Sequence, residues 1–102
     1  VIGDRFGRSA GTRFIAAVEA AAHRHSVKTA LNTPYAGGHI LDTHARPANG
    51  VHAIQIEFDR SLYLDPAGDR PGDTLPAVAR MLRDMIDALA DEAATPLSIA
   101  AE

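Results

Sequence analysis

Leu75, Val78, Ala79, Leu82, Met85, Ile86 and Leu89 recur at spacings of three and four. That period predicts a long amphipathic helix from about Thr74 to Ala93. A helix of this kind must bury its apolar stripe against something, and the remaining sequence offers few partners. Ser9 to about His25 carries a second stripe, formed by Phe14, Ile15, Val18, Ala21, Ala22 and His25, with Ser9 as the expected N-cap. Val51 to Phe58 alternates as a strand. His52, Ile54, Ile56 and Phe58 share one face; Val51, Ala53, Gln55 and Glu57 share the other. Both faces carry apolar residues, which predicts a central strand in a covered sheet. Val27 to Leu31 is a shorter strand candidate, and "VIGD" at Val1 reads as the end of a strand already under way. Helices alternating with strands predict an α/β fold, a mostly parallel sheet flanked by helices.

Between these elements lie loops. Asn32 to Gly38, "NTPYAGG", is broken by proline and glycines, and Asp65 to Asp73, "DPAGDRPGD", likewise. His39 to Asn49 reads as irregular, and Pro47 disfavours helix at Arg46. Thr74 is the expected cap of the last helix, with Pro76 suited to its first turn. The expected organisation is one domain over 1–94 and a flexible tail over 95–102.

A chain of 102 residues can bury one modest core, here rich in alanine. The net charge is −3 and Lys and Arg form no stripe, which argues against nucleic acid as a partner. There is no cysteine, so disulfides and thiolate zinc sites are excluded, and a cytoplasmic setting is expected. No apolar run reaches the ~20 residues that span a bilayer, and no signal peptide is visible, so no membrane partner is expected.

Glu57 is the residue with most chemical potential. A carboxylate near the end of an α/β strand sits where ligands commonly bind and can serve as a general base. By position alone it suits a solvated strand end paired with Arg60 somewhat better. Gln55, on the same face, can orient a substrate amide, support Glu57 or bond a neighbouring loop. Arg60 can clamp a carboxylate bidentately or pair with Asp59 or Asp65. Tyr35 can donate to a polarised oxygen or pack its ring on the sheet, and Gly37 and Gly38 allow close backbone approach. His39, Asp42, His44 and His52 are metal-ligand types, but their spacing matches no strong motif. His23 and His25 suit a solvated helix end. "GDRFG", Gly3 to Gly7, is a glycine-flanked loop compatible with an active site or with any loop.

Three stretches taken in order are more specific. "GDRFGRSAG" (Gly3 to Gly11), "NTPYAGGHI" (Asn32 to Ile40) and "RPANGVHAIQIEFDRSLYLD" (Arg46 to Asp65) resemble the C-terminal half of the N-formylglutamate amidohydrolase family. The resemblance runs from about Gly3 to Ala93. It implies the C-terminal part of a zinc-carboxypeptidase-like fold and metal-dependent hydrolysis of an N-formyl or N-acyl amino acid, the family reaction of histidine breakdown. Glu57 matches the glutamate of the family's "QIE" and would be the base acting on metal-bound water. Tyr35, Gly37 and Gly38 match its "PYxGG"; Arg46 and Arg60 match its "GRP" and "NR". These five are the expected substrate-binding positions. Asp59, Ala45, Thr43 and His44 depart from the family pattern, which bears on substrate more than on reaction class.

The family's metal ligands lie in its N-terminal half, in "HSG" and "DxHS" stretches that this sequence lacks. The resemblance therefore implies Zn2+ or another divalent metal whose ligands are not in this chain, and a missing N-terminal half as partner. The expectation is a fragment, inactive by itself and prone to self-association through sheet edges. The alternatives are a non-enzymatic domain binding a small ligand or partner, and an enzyme with its own metal on His39, Asp42, His44 or His52.

Overall fold

The computed structural model describes residues 1–95. Its elements in chain order are β1 (Ile2–Gly3), α1 (Thr12–Arg24), α2 (His39–His44), β2 (Gln55–Ile56) and α3 (Leu75–Ala94). Short 3-10 turns at Pro47–Asn49 and Arg60–Leu62 flank β2. The tail expected over 95–102 lies outside the described residues except for Thr95. That residue ends α3, its hydroxyl donating to the Asp91 carbonyl at 2.8 Å.

The two long helices stand close to where they are expected and pack on each other. In α3 the buried residues are Met81 and Met85, whereas Leu75, Leu82 and Ile86 of the expected stripe are exposed. Ile15, Val18, Ala21 and Ala22 of α1 meet Met81 and Met85 of α3 and Ile2 of β1 in one buried cluster. Ile54, Ile56 and Phe58 pack against the same cluster. The alternation in Val51–Phe58 therefore selects the core-facing side as read. His52, the fourth residue of that face, stacks on Phe14 with ring centroids 4.1 Å apart.

The sheet differs from the expected one. Its only ladder among the described residues is antiparallel, pairing Ile2 with Ile56 and Gly3 with Gln55. The parallel component is a single bridge, Ile2 to Leu31. That bridge closes a strand–helix–strand unit in which α1 supplies the long crossover that parallel pairing needs. The return to β2 contains the six-residue α2 and the 3-10 turn at Pro47–Asn49, and the chain comes back in the opposite direction. Val27–Leu31 thus contributes to β1 through the Ala30 carbonyl, which accepts the Ile2 N–H, while the Asn32 N–H just beyond it donates to the Ile2 carbonyl. Nor is Val51–Phe58 covered on both sides. Val51 is 49% exposed and Glu57 is exposed.

Several local expectations are corrected. The residue capping α1 is Gly11, not Ser9; the buried Ser9 hydroxyl instead donates to the Ala53 carbonyl at 2.7 Å, tying the start of α1 to the segment entering β2. Thr74 precedes α3, but its hydroxyl donates to the Leu62 carbonyl at 2.6 Å instead of capping the helix. His39–His44 is helical, closed by an extended Ala45 and a non-helical Arg46 ahead of Pro47. His25, expected on a solvated helix end, pairs with Asp84 of α3. No described helix is long and apolar enough to cross a membrane.

His52 makes the α1–β2 seam sensitive to protons. The Gly11 N–H donates to His52 Nδ1 at 2.9 Å, so that nitrogen must stay unprotonated. Burial, and then the nearby Arg13 guanidinium, hold the His52 pKa below the ordinary histidine value. A lowered histidine pKa means the unfolded chain takes up a proton before the folded one does. Stability should therefore be full above about pH 6.5 and fall as pH drops below it. Thermal melts across a range of about pH 5 to 8 should show this fall, and His52→Gln should flatten it.

Candidate active site

The β1–β2 register sets the faces. Ile2 and Ile56 point into the core, so Gly3, Gln55 and Glu57 lie on the opposite side. On that side the Gln55 amide Nε2 donates to Glu57 Oε1 at 2.9 Å. Of the contacts open to Gln55, the structure shows the one with the Glu57 carboxylate. Glu57 follows β2 directly, and its main chain is fixed by a pair of bonds with Val1, each 2.8 Å.

The loop 32–38 covers the neighbouring position on the same face. A Cβ built on Gly3 would lie 2.7 Å from the Ala36 carbonyl carbon and 2.8 Å from its oxygen. Only a residue without a side chain lets the loop sit there. Gly37 is at φ +95°, and a Cβ on it would collide with Leu41, the buried residue of α2. Gly38 has open space around it and contributes as the residue before α2; its carbonyl accepts the Asp42 N–H. The Thr33–Pro34 peptide bond is cis. Tyr35 is 53% exposed, so its ring does not lie buried against the sheet.

Residues that the sequence did not single out hold this loop. Asp4 is 3% exposed. Its carboxylate Oδ1 accepts from Asn32 Nδ2 at 2.7 Å and from the Gly7 N–H at 2.9 Å, while its own N–H donates to Asn32 Oδ1 at 2.9 Å. Asn32 stands at φ 63°, a conformation asparagine tolerates better than most residues. An Asn just before "TP" and an Asp inside "GDRFG" were the available signals. Their pairing across 28 positions was visible in neither.

The two arginines of the expected site are not equivalent. Arg46 turns back on its own segment, donating to the carbonyls of Asp42 and Ala45 and pairing its backbone with Val51. Arg60 opens the 3-10 turn after Glu57 and is exposed. Among the described residues it forms no ion pair, neither with Asp59 or Asp65 nor with Glu57. Asp59 caps that turn, accepting the Ser61 N–H and hydroxyl at 2.8 Å each, and these bonds hold its carboxyl below the usual range.

The histidines and Asp42 do not converge. His39 approaches the Thr43 hydroxyl, Asp42 receives Arg5, and His52 lies on the helical side against Phe14. No group of three His, Cys, Asp or Glu side chains among the described residues is placed to hold a metal. These residues therefore do not fit the zinc that the resemblance implies. A cleft of about 610 Å³ lies on the helical side, lined by Arg13, Phe14, His52 and Leu89, and does not include Glu57.

The braced Glu57 carboxylate and the loop seated on Gly3 share one face of a mixed α/β protein. The family model of N-formylglutamate amidohydrolase matches residues 1–64, and the chain belongs to that family. Among solved structures it is similar to the N-formylglutamate amidohydrolase from Ralstonia eutropha JMP134, at 26% identity and a TM-score of 0.73. The match covers 90% of this chain and 32% of that one, so this chain spans about a third of that protein's length. No curated protein matches it.

Replacing Gly3 by alanine should unseat the loop. Overpacking of this kind costs about 1–3 kcal/mol. Chemical denaturation should show a loss in that range, and new amide-exchange sites should open in the loop around Tyr35 before they open in α1.

Proposed function

We propose that this chain forms part of an amidohydrolase acting on the N-formyl or a related N-acyl amide of glutamate or another amino acid. Glu57 would be its general base. The observation that carries this is the Gln55–Glu57 contact of 2.9 Å on the sheet face beside the Tyr35–Gly38 loop. Family membership and the 26% identical N-formylglutamate amidohydrolase support it.

In the reaction a water oxygen attacks the formyl carbon and the C–N bond breaks. Glu57 would take the proton that water gives up and return it to the departing nitrogen, releasing formate and the free amino acid. Such proton transfer contributes about 10²–10⁴-fold. Gln55 would aim the carboxylate by occupying one of its oxygens, leaving the other for water. Arg60, exposed just beyond Glu57, would clamp the substrate carboxylate. Tyr35, with Gly37 and Gly38, would line the substrate; Arg46 would contribute only through the backbone turn it stabilises. Zinc or another divalent metal would take its ligands from polypeptide outside the described residues. The small polar substrate and the absence of cysteine suit a cytoplasmic setting.

The 102-residue chain by itself, with zinc added, should leave N-formylglutamate intact; measurable formate release would show that it needs no other polypeptide to hold the metal. In the larger enzyme, Glu57→Gln should lower kcat by about 10²–10⁴-fold with bound metal unchanged. Loss of metal in that variant would make Glu57 a ligand. Arg60→Lys should mainly raise KM, because a bidentate fork becomes a point charge.

A further inference from the structure

One residue after β1 is tied to the Ala36–Asp42 stretch beside the Glu57 face by three bonds, and neither the family match nor the reaction above gives it a role. Arg5 follows β1. Its N–H donates to the Ala36 carbonyl at 2.9 Å, its guanidinium Nη1 to the Gly37 carbonyl at 3.2 Å, and its Nε to Asp42 Oδ1 at 2.9 Å. Asp42 lies in the first turn of α2, which starts directly after Gly38. The guanidinium therefore bridges the end of the loop and the start of the helix that follows it.

This arrangement is held against a backbone penalty. Arg5, Phe6 and Gly7 are consecutive residues at φ 53°, 56° and 85°. Side chains other than glycine disfavour that region. The buried Asp4 carboxylate, through the Gly7 N–H, fixes the turn. A lone exposed Arg–Asp pair is worth little. Here the same residue adds a main-chain bond and a carbonyl bond to adjacent loop positions, so all three act on one segment.

We propose that Arg5 is a positioning residue. It latches the Tyr35–Gly38 loop into its seat over Gly3 and so holds the substrate-side wall next to Gln55 and Glu57. Arg5 touches no reacting atom itself. The role rests on the amidohydrolase reading for its effect on turnover, but the latch itself can be measured without activity.

The test is limited chymotrypsin digestion of the chain, following cleavage after Tyr35 against cleavage after Phe14 and Tyr63. Arg5→Ala should raise the rate after Tyr35 about tenfold, because a charge-assisted bond no longer opposes local opening. Cleavage at the other two sites and the far-UV circular dichroism should stay unchanged. Asp42→Asn should give a smaller selective increase, and Arg5→Lys should recover only part of the protection, since one ammonium nitrogen replaces the separate Nε and Nη1 donors that reach the two acceptors. In the larger enzyme Arg5→Ala should raise KM about tenfold, with kcat held within about threefold. Unchanged cleavage after Tyr35 in a folded Arg5→Ala chain would overturn the latch. Equal acceleration at all three sites would overturn it too, by showing general support of the fold. If Arg5→Ala does not fold, Asp42→Asn and Arg5→Lys decide by the same criteria. Selective cleavage with no turnover of N-formylglutamate or of a panel of other N-formyl and N-acyl amino acids, even in the parent enzyme, would uphold the latch and defeat the amidohydrolase reading instead.

Discussion

The register of β1 on β2 is the constraint on which the site depends. Ile2 faces Ile56 and Gly3 faces Gln55. A slip of one residue would turn Ile56 outward and swing Glu57 into the core. The core prevents this, because Ile2 belongs to the cluster built by α1 and α3 and Ile56 packs against it. Two helices on one side of the sheet thus decide what chemistry is presented on the other. The short ladder is enough because bonds from Glu57 to Val1 and from Ala53 to Ser9 extend the alignment in both directions.

Much of this frame was legible in the sequence. The stripes of α1 and α3 are long and regular, and their three-to-four spacing places both helices. In α1 the striped residues from Phe14 to Ala22 are the buried ones, whereas in α3 the buried face turns onto Met81 and Met85 and leaves Leu75, Leu82 and Ile86 exposed. The face assignment in Val51–Phe58 was legible from its alternation. Pairing direction was not. Alternation reports which side of a strand is buried but says nothing about the polarity of its neighbour. The expected parallel sheet was inferred from the alternation of helices and strands, and it holds only for the bridge that α1 spans. The capping expectations at Ser9 and Thr74 failed in a shared way. Both hydroxyls had a carbonyl available on another segment, and tertiary hydrogen bonds took precedence over local ones.

The site was legible in its parts. "QIE" drew attention to Glu57, and the structure adds the Gln55 contact that braces it. "PYAGG" marked the loop, but not what holds it. Asp4 and Asn32 are far apart in sequence and unremarkable singly, and their bond exists only once β1 and the segment before the loop are adjacent. Arg46 shows the reverse case. A motif position expected to bind substrate donates to two carbonyls of its own segment.

The seat of the loop on Gly3 is a contact between two main chains, and this has a consequence for how such a site can drift. Position 36 meets Gly3 through its carbonyl carbon and oxygen, atoms that every residue possesses. Position 3 meets it through the absence of a side chain, which glycine alone provides. The burden of the contact is therefore carried by one partner. The side chains at positions 35 and 36 can be exchanged without disturbing the join, provided that positions 3 and 37 stay bare. Two glycines, one buried in a strand and one in the loop, would then separate the part of the surface free to change from the part that must not move.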